Sequence, residues 1–182
     1  QWDKPGGLMR TNIPAFRLPE TVLAEEIGYI EQMGAQIRYN SRIDSMRKLL
    51  ETGGFDAVFV GSGAPKGKEL KLPGRTEGDA NIHIGINWLE SVAFKHLDRI
   101  GEKVLIIGVG NTAMDCCRSS LRLGAREVKV MARKPRQFFK ASEWELEDAE
   151  SENVDIVVNH SPTAFVVENG KLKGMLFERM AY

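Results

Sequence analysis

An α/β architecture with a parallel sheet is what this sequence predicts, and three observations carry the prediction. Short apolar runs of strand type alternate with helical stretches through the second half of the chain. A glycine-rich turn, Gly108-Val109-Gly110-Asn111-Thr112-Ala113, joins one such run to the helix that follows it. The composition is 42% apolar and 27% charged over 182 residues, which excludes a disordered or collagen-like chain and allows one domain or two small ones.

Residues 1–19 contain Pro5-Gly6-Gly7, Ile13-Pro14 and Leu18-Pro19, and read as loop and turns. From Glu20, Leu23, Ile27 and Ile30 recur on one helical face, with Gly34 as the stop. A short strand is expected over 35–39 and a small helix over 44–52. Asp56-Ala57-Val58-Phe59-Val60 has the apolar character of a strand and runs into Gly61-Ser62-Gly63. After a breaker-rich stretch containing Pro73, Gly74 and Gly78, a helix over 86–97 places Trp88, Leu89, Val92 and Leu97 inward.

Lys103 to Ile107 reads as a buried-type strand. The helix after the glycine turn presents Ala113, Cys117 and Leu121 on one face and stops at Gly124. Strands follow at 128–132 and 154–158, with a charged, surface-type helix over 142–152 between them. Two last strands, 163–168 and 172–179, flank Asn169-Gly170, the strongest short hairpin signal.

Twenty-five Lys and Arg balance 25 Asp and Glu, so there is no general field for nucleic acid or an anionic membrane, and any basic site is local. No apolar run approaches the roughly 20 residues of a membrane helix. Cys116 and Cys117 are sequence neighbours, which rules out an ordinary disulfide between them, CxxC chemistry and a zinc site; they read as small core residues in a reducing cytoplasm. His83, His96 and His160 are scattered, without a nucleophile partner, and take no catalytic role. The chain starts at Gln1-Trp2-Asp3 without Met and stops at Met180-Ala181-Tyr182, as expected of a fragment of a larger protein.

The glycine turn gains force from its context, since strand, turn, helix and second strand fit within about 30 residues. Gly108 permits the tight turn, and Gly110 lets the backbone approach a pyrophosphate with no Cβ in the way. Ala113 keeps helix and strand close. The helix start then offers free N–H groups and the positive end of its dipole to phosphates, with Asn111 and Thr112 at the contact. The competing reading is a tight strand–helix turn of some other α/β protein.

An NAD site wants an acidic residue about 20 positions on, to hold the ribose 2′-hydroxyl. Arg133 stands there instead, followed by Lys134 and Arg136, with Lys140 nearby. A cationic cluster favours the 2′-phosphate of NADPH; the alternative is a solvated basic turn. Gly61-Ser62-Gly63 fails as a second such fingerprint, because Pro65, Gly67 and Pro73 stand where its helix belongs.

The ordered motifs Gly6-Gly7-Leu8, Ile13-Pro14-Ala15-Phe16-Arg17-Leu18-Pro19, Gly61-Ser62-Gly63-Ala64 and Gly108-Val109-Gly110-Asn111-Thr112-Ala113-Met114-Asp115 together resemble the small (beta) subunit of bacterial glutamate synthase. They are similar, too, to the electron-input half of dihydropyrimidine dehydrogenase. The resemblance covers nearly the whole chain. It implies a Rossmann-like NAD(P)H-binding domain at 98–182, C-terminally incomplete, beside a partial FAD-binding domain of the same type at 1–97. It also implies hydride transfer from NADPH to FAD and onward transfer to an iron–sulfur partner, with a glutamate synthase large subunit as one candidate.

Carried over by position, Gly6, Gly7, Leu8 and Arg17 fall where the family touches FAD, Ile43 near the adenine end, and Gly61, Ser62 and Gly63 on a second flavin loop. Val109, Gly110, Asn111 and Thr112 match the pyrophosphate turn, and Arg133, Lys134 and Lys140 the 2′-phosphate site. Glu145 falls where relatives place a carboxylate near the nicotinamide, although its helix reads as acidic surface. The first FAD-domain strand–turn–helix, its ribose-binding acid and the cysteine-rich cluster region have no counterpart here. The chain by itself is therefore expected to bind NADPH, to hold FAD poorly or not at all, and to be inactive.

Direct hydride transfer needs no general acid or base, so no catalytic side chain is assigned. A non-catalytic nucleotide-binding or assembly module is the alternative of a different class, and pyrimidine-reductase-like or ferredoxin-linked acceptors are alternatives within the enzyme class. A short-chain dehydrogenase is excluded. It needs Tyr-x-x-x-Lys, and the residues four past Tyr29 and Tyr39 are Met33 and Ile43.

Overall fold

The run Val104-Leu105-Ile106-Ile107, β-branched at all but Leu105, is poorly suited to helix and well suited to a pleated sheet. In the computed structural model, which describes residues 4–182, it forms β1 (Lys103–Ile107), followed by α5 (Asn111–Arg122), β2 (Glu127–Met131), α6 (Glu143–Ser151) and β3 (Asp155–Val157). The three strands make one parallel sheet in the order β1-β2-β3. Lys103 stands opposite Glu127 and Ile107 opposite Met131, while Lys129 stands opposite Asp155. Parallel neighbours require crossovers, and α5 and α6 supply them.

The core lies between this sheet and the two helices. Met114, Cys117, Val130, Leu146 and Ala149 are fully buried there, with Val104, Ile106 and Leu121 packed against them. Cys116 and Cys117 are both free and buried, and burial pushes the Cys117 thiol up to about 12, so both act as inert packing residues. The opposite sheet face is open. Leu105 and Ile107 are 39% and 38% exposed, so β1 is half-buried rather than covered on both sides. That face carries a charge ladder instead, with Lys103 and Lys129 both on Glu127 at 3.3 Å.

Four helices precede the sheet: α1 (Leu8–Thr11), α2 (Glu20–Gln32), α3 (Met46–Thr52) and α4 (Gly85–Ala93). Helix α4 packs on α5 through Trp88, Leu89 and Cys116. The approach is close enough that a Cβ on Gly85 would stand 3.2 Å from the Cys116 sulfur. The helix ends at Ala93 rather than 97, where Lys95 takes a φ of 59°. α1 is tied to α4 by the Asn12 amide, which donates to the Ile86 carbonyl at 2.6 Å. Of the face expected on α2, Leu23 is buried and Ile30 is 49% exposed.

Two expected strands do not form. Residues 35–39 and 56–60 lie outside any helix or strand, with Phe59 95% exposed and Val60 63% exposed. A strand is defined by its ladder, and no strand lies beside either segment among the described residues. The expected hairpin does form, from β4 (His160–Glu168) and β5 (Lys171–Arg179). Asn169 and Gly170 have φ of 50° and 71°, the paired positive values of a type I′ turn. The breaker-rich segment packs on it: the Phe165 N–H donates to the Pro73 carbonyl at 2.8 Å. At Gly74 a Cβ would lie 2.5 Å from the Phe165 oxygen. No described helix is long and apolar enough to cross a membrane.

Candidate dinucleotide site

At the end of β1 the chain must reverse into α5 within three residues. Gly108 does this with a φ of 118°, and its N–H donates to the Met131 carbonyl at 3.1 Å, which sets the turn against the end of β2. Gly110 is the helix N-cap, extended, with no side chain to cap the helix. Its carbonyl accepts from the N–H groups of Ala113 and Met114 at 2.8 and 3.2 Å. The N–H groups of Asn111 and Thr112 have no backbone partner among the described residues, as the first turn of any helix requires. A Cβ on Gly110 would meet nothing within 4 Å. That open space in front of two free donors at a helix N-terminus fits a pyrophosphate.

The turn is braced from the segment that leads into α6. The Val109 carbonyl accepts from the N–H groups of Lys140 and Ala141, both at 3.1 Å, and the Asn111 side-chain oxygen accepts from the N–H of Ser142 at 3.0 Å. The sequence reading gave Asn111 a ligand role only and missed this second one.

Past β2, Arg133 and Lys134 are exposed. Arg133 makes no ion pair among the described residues, while the Lys134 ammonium lies 5.3 Å from the Phe138 ring centre. Because Met131 touches Gly108, both cations follow the strand end next to the turn. Arg136 does not join them, since it pairs with Glu143 at 2.7 Å and with Glu150. Lys140 is exposed, with its backbone on the turn.

The residues of the flavin-side expectation are less gathered. Gly6 and Gly7 lead into α1 with φ of 117° and 50°, and Leu8 is exposed. Ile43 and Gly61, Ser62 and Gly63 lie on exposed segments outside any helix or strand. Gly7 and Gly63 both have positive φ and open space where a Cβ would be, backbone that a flat ring system can approach closely.

Glu145 is not a surface residue of an acidic helix. It is 1% exposed and pairs with Arg17, and its Oε2 stands 3.7 Å from Arg118 without a hydrogen bond. Arg17, expected on the flavin side, also donates to Asp115 at 2.6 Å, so its guanidinium is engaged by α5 and α6. Burial pushes the Asp115 carboxyl up, against the opposing pull of Arg17. Arg118 continues the network to Asp148 at 2.8 Å and to Glu152 at 2.9 Å, and Arg122 reaches Glu152 at 2.6 Å. The signal for this network was present in the sequence. Asp115, Arg118 and Arg122 on α5, and Glu145, Asp148 and Glu152 on α6, share the spacing i, i+3, i+7 of one helical face.

Comparison with known proteins follows this geometry. The family model described as "Pyridine nucleotide-disulphide oxidoreductase" matches residues 20–179. The beta subunit of NADP(+)-dependent formate dehydrogenase from Moorella thermoacetica is 38% identical over 96% of this chain and 25% of its own length. A putative NADPH glutamate synthase small chain from Cereibacter sphaeroides is 31% identical over 99% of this chain and 45% of its own length. Among solved structures, FprA from Mycobacterium tuberculosis superposes with a TM-score of 0.75 at 16% identity, covering 98% of this chain and 55% of that one. The chain thus spans between a quarter and under half of these curated relatives. It belongs to the pyridine nucleotide-disulphide oxidoreductase family, with the α/β fold of that family and the binding of FAD and a pyridine nucleotide that membership implies.

Proposed function

We propose that this chain is the NADPH-binding and flavin-contacting part of a larger FAD-dependent oxidoreductase, with residues 1–97 on the flavin side and 98–182 on the nucleotide side. The carrying observation is the open N-terminus of α5, with no Cβ at Gly110 and, among the described residues, no backbone partner for the Asn111 and Thr112 N–H groups, beside an exposed Arg133 that no carboxylate among the described residues pairs with.

In this reading the turn from Gly108 to Thr112 binds the pyrophosphate through backbone donors and the helix dipole. Arg133 holds the 2′-phosphate with its planar fork of donors, and Lys134 and Lys140 add charge. Gly6, Gly7, Leu8 and Gly61–Gly63 supply backbone for the flavin. When bound, FAD supplies the two-electron acceptor for hydride from NADPH. The protein's own contribution is orientation and electrostatics, with no side chain required to move a proton. The relatives named for formate dehydrogenase and glutamate synthase support an electron-input subunit; an iron–sulfur partner is what the family resemblance adds to this reading. The relatives differ in acceptor, so the acceptor belongs to the partner and not to these residues.

Calorimetric titration with NADPH and NADH tests the reading. NADPH is expected to bind tighter by about tenfold, roughly 1.4 kcal/mol, with the preference lost in Arg133→Ala. Equal affinity for the two nucleotides in the wild type would reduce Arg133 and Lys134 to a solvated turn.

A further inference from the structure

The charged faces of α5 and α6 form a ladder that runs away from the nucleotide turn. Arg122 and Arg118 lie between the helices at the far end and in the middle, facing Glu152 and Asp148. At the near end the rung consists of two acids, Asp115 on α5 and Glu145 on α6, 5% and 1% exposed. The guanidinium that joins them comes from neither helix. It is Arg17, 98 residues before Asp115 in the sequence, which donates to both carboxylates. Phe16, the residue before it, lies under Arg122 and Arg118, with ring centre distances of 3.8 and 5.0 Å. One dipeptide of the early loop thus engages the whole ladder.

We infer that Arg17 is a positioning residue for the dinucleotide turn, fixing the N-terminal turns of α5 and α6 against each other through Asp115 and Glu145. The path is short. Asp115 lies one helical turn past Asn111, and Glu145 one turn past Ser142, whose carbonyl accepts the Glu145 N–H at 3.1 Å. Asn111 and Ser142 are themselves hydrogen-bonded. Arg17 therefore closes one end of a four-cornered frame whose other end is the phosphate turn.

Without Arg17, two buried carboxylates face each other. Asp115 loses its hydrogen-bond donor, and Glu145, with one oxygen already unpartnered, retains only Arg118 at 3.7 Å. Such a pair separates, or Asp115, whose carboxyl burial already pushes up, takes up a proton. The groups facing the rung are Arg17 from the loop, Asp115, Arg118 and Arg122 from α5, and Glu145, Asp148 and Glu152 from α6. Three guanidiniums thus face four carboxylates, and loss of Arg17 is repaired by removing negative charge.

This inference rests on the nucleotide reading of the turn, and its test separates the two. NADP+ is titrated into the complete protein that carries this chain, as wild type, Arg17→Gln, and the double variant Arg17→Gln with Glu145→Gln. Flavin content and far-ultraviolet circular dichroism are followed in each. Arg17→Gln is expected to weaken NADP+ binding about tenfold near pH 8. The defect should shrink as acidification protonates Asp115, and the double variant should recover most of the affinity. A merely structural loss is indifferent to charge and gives neither the pH dependence nor the recovery. Wild-type affinity in Arg17→Gln, or a loss equal at every pH and unrepaired by Glu145→Gln, overturns the inference alone. A wild type that binds no NADP+ overturns the nucleotide reading and this inference with it.

Discussion

Gly110 separates binding from folding at the level of one residue. Its φ of −108° is open to any L-residue, and the space where a Cβ would sit is empty. Gly110→Ala is therefore expected to leave the melting temperature within the scatter of surface substitutions, about 0.5 kcal/mol. The methyl group would occupy the approach to the phosphate donors and weaken NADP+ by at least about tenfold, as a misplacement of about 1 Å does. Paired thermal melts and calorimetry check this, and equal losses in both would place Gly110 in the scaffold rather than at a ligand. The geometry of this turn was legible in the sequence, because a glycine turn between strand and helix carries its own backbone demands. Glu145 was not. Helix α6 reads as solvated acid because five of its nine residues from Glu143 to Ser151 are Glu or Asp, and only the positions of Arg17 and Arg118 show which of them is buried.

Pairing between elements decides what a stretch of sequence becomes. Residues 103–107 and 56–60 have similar apolar character, yet only the first has a parallel neighbour, and only the first is a strand. The Asn169-Gly170 hairpin was legible because both of its strands are adjacent in sequence. The α5–α6 ladder belongs to this scale and predicts acid sensitivity. Hydrogen bonding from Arg122, then Arg118, holds the Glu152 carboxyl down at about 2 against an ordinary value of 4.5. A carboxyl depressed in the folded state contributes stability that is full above the unfolded value and is lost as pH falls through the folded one. Denaturant midpoints are therefore expected to drop between about pH 4.5 and 2, and the drop should be smaller in Glu152→Gln. Asp115, raised by burial, has the opposite sign and favours the folded state as it protonates. An acid limb of the same size in Glu152→Gln and the wild type would contradict the assignment to this residue.

Across the molecule, the contacts that sequence reading could not supply are the long ones. Arg17 meets Asp115 across 98 residues, and the Pro73 carbonyl receives the Phe165 N–H across the nucleotide-binding unit. No local pattern encodes such partners, whereas the β1-turn-α5-β2 unit is local and was read nearly residue for residue. The first half of the chain shows the converse. Its motifs were recognisable from resemblance, but Ile43 and Gly61–Gly63 lie on exposed, unpaired segments, and the expectation of a partial flavin surface rests on family membership together with the open backbone at Gly7 and Gly63. The central claim is that the turn and Arg133 together read a 2′-phosphorylated nucleotide. Phosphorus NMR of bound NADP+ addresses it atom by atom. The account predicts that binding moves the pyrophosphate resonances and also depresses the titration of the 2′-phosphate, because a guanidinium stabilises its dianion. In Arg133→Ala the pyrophosphate shifts should persist while the 2′-phosphate titrates as in free nucleotide. A 2′-phosphate that titrates as free nucleotide in the wild type, with the pyrophosphate bound, would contradict it.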